Sequence, residues 1–226
     1  MAVHKGHRAR LRRQLLGSGL DSFSDVQVLE LLLSYAIARK DVNPLAHILL
    51  ERFGSLSAVL DAPVPELMKV DEVGECAAVL LSLTPQLLRR YSIDRIGANP
   101  ILDTTEKAGN YLAPFFFGAT EEQVYLLCLD AKCKVLDCRM LFIGSVNTVG
   151  VSVRRVVEAA LHRGATSVIL AHNHVSGIAL PSKEDEDTTR ALRAALETVG
   201  ILLADHIVVA DSDFVSMADS GFFCGR

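Results

Sequence analysis

Ala171-His172-Asn173-His174-Val175-Ser176-Gly177-Ile178-Ala179-Leu180-Pro181-Ser182-Lys183-Glu184-Asp185 is the stretch on which the reading of this chain turns. It continues Ser167–Ala171, a short apolar run of the kind that forms a strand buried on both faces. Two histidines at i and i+2, on a strand or its extended exit, share a side because side chains alternate with a period of 2. Imidazole suits zinc-like divalent metals, and two on one side supply half a tetrahedron. Ten residues separate His174 from Asp185, enough for a loop that brings the chain back. Asp185 would then lie in the first turn of a helix opened by Ser182, where the macrodipole favours a charged carboxylate. Two neutral imidazoles and one carboxylate leave a fourth position open, which is the arrangement of catalytic rather than structural zinc. Ser182-x-x-Asp185 is also an ordinary capping box, so that pair alone proves nothing. The weight rests on the joint pattern.

Outward from this stretch, strands alternate with helices. Val124–Asp130 and Lys134–Phe142 flank Ala131-Lys132-Cys133 and read as an antiparallel hairpin. Arg154–His162 reads as a helix ending at Gly164, and Ser182–Thr198 as a helix stopped by Gly200. Ile207–Ala210 and Phe214–Met217 read as further strands. A hairpin followed by strand, helix and strand predicts a mixed sheet with helices packed on it. Upstream the chain reads as helical. Asp25–Tyr35 is Leu-rich with Ser24 or Asp25 as N-cap, and Asn43-Pro44 opens a helix closed by Gly54. Short helices follow over Ser55–Leu60, Glu66–Val70 and Cys76–Arg90. Gly97-Ala98-Asn99-Pro100 marks a linker, which predicts a helical domain over 1–98 and an α/β domain over 99–226.

The 226 residues carry 50% apolar and 22% charged side chains, an ordinary globular composition that excludes wholesale disorder. Residues 1–97 hold 12 basic and 11 acidic side chains, and residues 98–226 hold 11 and 16; the total of −4 excludes a generally basic nucleic-acid coat. Five cysteines without C-x-x-C, and no recognisable signal peptide, predict a reducing cytoplasm rather than a disulfide framework. No apolar run is long enough to span a membrane, so no membrane partner is expected.

The pattern H-N-H-V-S-G-x-x-x-P-S-x-x-D closely resembles the metal motif of the JAB/MPN (JAMM) metalloprotease fold, in the form carried by RadC-family proteins. The resemblance extends to Gly6-His7-Arg8-Ala9-Arg10-Leu11-Arg12, Leu29–Tyr35, Arg52-Phe53-Gly54-Ser55-Leu56, Gly144-Ser145-Val146-Asn147 and Asp205-His206-Ile207-Val208-Val209. It implies a C-terminal α/β/α sandwich similar to cytidine deaminases, zinc on His172, His174 and Asp185, and a part for Ser182 in holding a tetrahedral intermediate. The implied activity is hydrolysis of a peptide or isopeptide bond. Val175 stands where the family usually has Pro, which predicts a looser loop with the ligands intact. Active isopeptidases of this fold also place a Glu on an early strand as general base. In the region taken to correspond, Lys134–Gly144, there is no Glu. Asp137 is shorter, and Glu158 on the next helix reads as a solvated residue, so the base stays unassigned.

Deamination is excluded, because that chemistry needs H-x-E with P-C-x-x-C. Cys128, Cys133 and Cys138 sit five apart along the hairpin, share no simple face, and read as small buried hydrophobes. His206 beside Asp205 reads either as a support for a ligating imidazole or as a core-edge residue. His162 suits a helix C-terminus. His4, His7 and His47 stand without a constellation.

Met68–Ala78 resembles the hairpin of a helix-hairpin-helix module, whose backbone amides hold a nucleic-acid phosphate. Glu72 replaces the first expected glycine, with Asp71 and Glu75 close by, and three carboxylates repel a phosphate. The basic start, residues 5–13, reads as a solvated amphipathic helix packed through Leu11 and Leu15. Two functions compete on these residues: a zinc-dependent amide hydrolase, and a DNA-associated accessory protein of the repair type acting through residues 1–98. A protein-interaction platform is a third reading, against which the intact ligand set argues.

Overall fold

The computed structural model describes residues 6–38, 40–97, 99–144, 152–210 and 213–223. His4, Lys5, Cys224 and the Ser145-Val146-Asn147 landmark lie outside them. The chain forms two compact units, Met1–Leu88 and Arg89–Arg226. This division falls ahead of Gly97–Pro100, inside a helix that runs on past Pro85. The physical reason is that the end of that helix belongs to the second unit: Arg89 donates to the Tyr125 hydroxyl, and Ile93 packs on the second unit's core.

The first unit contains helices α1 (His7–Ser18), α2 (Asp25–Ala36), α3 (Asn43–Phe53), α4 (Leu56–Asp61), α5 (Val64–Leu67) and the first part of α6 (Glu75–Ile96). Ser24 caps α2 in a reciprocal box with Gln27, Pro44 sits in the first turn of α3, and Gly54 ends it. Leu29, Leu33, Leu45, Leu49, Val59, Leu67 and Leu81 meet in one apolar core. In α1, Leu11 is buried and Leu15 half-buried.

His7 is not without a constellation. Its Nε2 lies 2.6 Å from Glu30 Oε1, Asn43 Nδ2 donates to Glu30 Oε2 at 3.3 Å, and the carboxylate is buried. Burying a charge requires such partners, and the 22 residues between His7 and Glu30 hide the pairing from a local reading. Arg8 is likewise engaged, donating to the carbonyls of Ser34, Ile37 and Lys40 at the end of α2. Glu72 takes φ +73°, the left-handed backbone that glycine would supply in the hairpin, and its carboxylate lies 2.6 Å from Lys40 Nζ.

The second unit is a three-layer α/β/α sandwich around a five-stranded mixed sheet. Its strands are β1 (Gln123–Leu129), β2 (Val135–Ile143), β3 (Ser167–Asn173), β4 (Leu202–Ala210) and β5 (Asp213–Ser216), in the order β2-β1-β3-β4-β5. All neighbours are antiparallel except β3 and β4, which are joined by a helical crossover. Alternation along the strands defines two cores. Val124, Leu126, Val168 and Leu170 face α8 (Val153–His162) and α9 (Lys183–Thr198). Tyr125, Leu127, Ile169 and Ala171 face α7 (Thr105–Leu112) and the 3₁₀ turn Ala113–Phe116. The apolar periodicity does not announce α7; Thr104 caps it and Gly109 lies in its middle.

Strand β4 begins five residues before the Ile207–Ala210 core of its apolar pattern, and it contains a bulge. Val168 pairs with Leu203 but Ile169 pairs with Asp205, leaving Ala204 as an extra residue. The bulge reverses the alternation. His206, rather than Asp205, therefore shares the α8–α9 face with Leu203. The cysteines of the hairpin share no face, as the spacing predicts, but of the three only Cys128 is buried, in the α8–α9 core; Cys138 is half-buried against the opposite core, and Cys133 is half-buried because it sits at the turn with φ +57°.

Candidate metal centre

Strand β3 is one strand of the parallel pair, and the centre lies at its C-terminal end, where open α/β sheets bind ligands. His172 ends the alternation Val168, Leu170, His172 on the α8–α9 face, and His174 follows two residues on. Asn173, between them, is buried and ties the strand to the start of β1. Gln123 N donates to its Oδ1 at 2.7 Å, and its Nδ2 donates to the Glu121 carbonyl at 3.3 Å. The loop that follows is fixed at one point by His174, whose Nδ1 lies 3.0 Å from the Ile178 carbonyl. A carbonyl only accepts, so Nδ1 carries the hydrogen and the neutral ring presents a bare Nε2.

Asp185 comes from the first turn of α9. Ser182 N and Ser182 Oγ donate to its Oδ2 at 2.7 and 2.6 Å, while Asp185 N donates to Ser182 Oγ at 3.1 Å. This is the capping box anticipated from the sequence, and it turns the carboxylate toward the histidines, with Oδ1 on the side of His172. The single hydroxyl proton of Ser182 is thereby committed to Asp185. Burial alone would raise the Asp185 carboxyl. The two bonds from Ser182 act in the opposite direction and favour its charged form.

His172 Nε2 lies 2.9 Å from His174 Nε2 and 3.2 Å from Asp185 Oδ1, and His174 Nε2 lies 3.5 Å from Asp185 Oδ2. One ligand atom from each residue falls within 4.8 Å of the others. Nitrogen and oxygen ligands about 2.0–2.1 Å from a tetrahedral zinc stand roughly 3.3 Å apart, so the donor set fits such an ion. His172 and Asp185 are buried whereas the His174 side chain is 16% exposed, which leaves one side open to an incoming group.

Asp205 does not orient a ligating ring; it accepts from Ser216 Oγ, Ala218 N and His206 N. His206 does touch the centre, its Nε2 lying 2.9 Å from His172 Nδ1. Complete burial pushes His206 well below the ordinary imidazole range, and neighbouring His172 acts in the same direction, so the ring is neutral. Thr189, not singled out by any motif, lies 2.6 Å from His206 Nδ1.

The acids weighed as a base are elsewhere. Asp137 is paired with Arg139 and Arg163, opposite Cys128 and Val168, four residues along β3 from His172. Glu158 is exposed and paired with Arg154. The register points to another acid, outside Lys134–Gly144. Val124 pairs with His172 on the α8–α9 face. Extending that register by two residues sets Glu122 opposite His174, and the Glu122 carbonyl carries the β1–β2 ladder one step further by accepting from Gly144 N at 2.7 Å. The signal was available in the sequence: an acid two residues before the first apolar strand of the domain.

Residues 102–222 match the family model described as the RadC-like JAB domain. The chain is 37% identical over 212 residues to a UPF0758 protein of Methylibium petroleiphilum, covering 94% of this chain and 96% of that protein. It is 36% identical to a UPF0758 protein of Vibrio cholerae El Tor, covering 93% and 94% respectively. A Geobacillus UPF0758 protein is 33% identical, with 95% of each chain covered.

Proposed function

The chain belongs to the RadC-like JAB domain family, a metal-binding fold, and we propose that it is a zinc-dependent hydrolase of amide or isopeptide bonds. The observation that carries this reading is the convergence of His172, His174 and Asp185 within 4.8 Å, with one side left open. Zinc, when bound, acts as a Lewis acid on a carbonyl and brings the pKa of water from 15.7 towards about 7. Three protein ligands with a free position are what such chemistry needs.

The chain's own residues supply the rest. Glu122, on the ligand face opposite His174, takes a proton from the attacking water and returns it to the leaving amine; neutral amide chemistry requires both transfers. Ser182 orients Asp185 in the resting state. For its hydroxyl to donate to a substrate oxyanion it must turn away from Oδ2, leaving the Ser182 backbone amide to hold the carboxylate. Asn173 keeps the His172–His174 segment and the start of β1 in register, which fixes the base relative to the ligands.

The test is elemental analysis of protein purified without chelator, together with hydrolysis of peptide- and isopeptide-linked substrates. About one zinc per chain is expected, lost when His172 and His174 are both replaced. Unchanged zinc in that double variant would remove this site from consideration. Nucleic-acid binding by residues 1–98 has the left-handed backbone at Glu72 as its support. Against it stand the carboxylates of the hairpin and the engagement of Arg8 with backbone carbonyls. Salt-dependent retention of DNA by the full chain, lost on removing the basic residues of 5–13, would favour that alternative.

A further inference from the structure

Behind His172 runs a line of three contacts that never reaches the open side of the centre. His172 Nδ1 lies 2.9 Å from His206 Nε2, His206 Nδ1 lies 2.6 Å from Thr189 Oγ1, and Thr189 Oγ1 lies 2.6 Å from the carbonyl of Asp185. His172, His206 and Thr189 are all buried, so water does not complete these bonds. The direction of the line is set at its end. A backbone carbonyl has no proton to give, so Thr189 spends its only hydroxyl proton on Asp185. Thr189 must then accept from His206 Nδ1–H. With its hydrogen on Nδ1, neutral His206 presents a bare Nε2, which accepts from His172 Nδ1–H. His172 is left with its Nε2 lone pair facing His174 and Asp185.

The reverse direction fails on the same count. If Thr189 donated to His206, the 2.6 Å contact between Thr189 and Asp185 would hold two oxygens and no hydrogen. It would also put a proton on His172 Nε2, in the middle of the centre. With His206 completely buried and therefore neutral, only one arrangement gives each of the three contacts a hydrogen and leaves His172 Nε2 bare for an ion. The Ile178 carbonyl imposes the same tautomer on His174, so both imidazoles and the carboxylate turn electron pairs toward one point.

We propose that Thr189 and His206 are positioning residues that lock His172 into its metal-binding tautomer. The affinity of the centre then depends on a hydroxyl and an imidazole that do not touch the ion. The line starts and ends on two of the ligand-bearing residues, because the carbonyl that orients Thr189 belongs to Asp185. The proposal rests on the zinc reading above.

The experiment compares full-length wild type with Thr189→Ser and Thr189→Val, using zinc competition against a chromophoric chelator and long-range ¹H–¹⁵N spectra of the histidines. Thr189→Ser keeps the hydroxyl and is expected to bind zinc like wild type. Thr189→Val removes it at nearly the same volume and is expected to weaken zinc binding by about 10- to 100-fold. Metal-free wild type is expected to show His172 with its hydrogen on Nδ1. Equal affinity of Thr189→Val and wild type overturns the proposal, as does an equal loss in Thr189→Ser. A hydrogen on His172 Nε2 in wild type also overturns it, and needs no variant to fold. A wild type that binds no zinc at all defeats the hydrolase reading instead, while the spectra still decide the tautomer.

Discussion

The ring of Phe214 in β5 lies against Gly109 in α7, and a β-carbon built on that glycine would overlap three of the ring atoms. The ring packs directly on the backbone of the helix there, on the sheet face opposite the metal centre. Gly109→Ala is expected to destabilise the chain by about 1–3 kcal/mol through overpacking. Phe214→Leu in that background should recover part of the loss, since neighbouring substitutions couple. Denaturant titration of the two single variants and the double variant checks both statements.

Glu122→Gln separates catalysis from metal binding. Zinc content and melting temperature should stay at wild-type values, because Glu122 is not among the three converging ligands. Hydrolysis should fall by roughly 10²–10⁴-fold, the usual contribution of a positioned base. A variant that keeps full activity would return the base to the unassigned acids.

Chelation should lower the unfolding transition, since a ligand bound only by the folded state stabilises it by mass action. Zinc at a hundred times its dissociation constant adds about 2.7 kcal/mol. His172→Ala and His174→Ala should lose this increment, and their melts should coincide with and without chelator.

Cysteine reactivity should follow depth and ionisation. Burial pushes the Cys128 thiol up to about 11; the Asp137 charge adds to this, and Arg139 and Arg163 oppose it. Thiolate is the reactive form, and that shift leaves only about one thiol in a thousand ionised at pH 8. Alkylation of native protein at pH 8 should mark exposed Cys76 and spare Cys128. Reaction at Cys128 is expected only near pH 11 or after unfolding, as mass mapping would show.

What could be read from the sequence was what the chain writes locally. His172, His174, Ser182 and Asp185 announce themselves because the strand period and the helix cap are set within a few residues. The mixed sheet with helices packed on it followed from alternating strand and helix patterns in the second unit, and its sandwich layering from the family resemblance. The proposed base Glu122 is less legible, because it stands before the first strand of the domain and only the pairing of Val124 with His172 brings that end of the strand toward the ligands. Thr189 and His206 were hidden more deeply. Their partners lie 17 and 34 residues away, and the extra residue Ala204 in β4 reverses the parity by which a strand face is read. His7 and Glu30 belong to the same category, a pairing made by tertiary packing and invisible to spacing.

The carboxylate that faces the histidines also closes the first turn of α9, through the amide and hydroxyl of Ser182. Filling or emptying the centre must therefore be felt by the backbone that follows. Deuterium uptake at the opening amides of that helix should slow as an ion is taken up and quicken as it leaves. Occupancy would then register in the main chain itself, giving an internal gauge that works before any substrate has been identified.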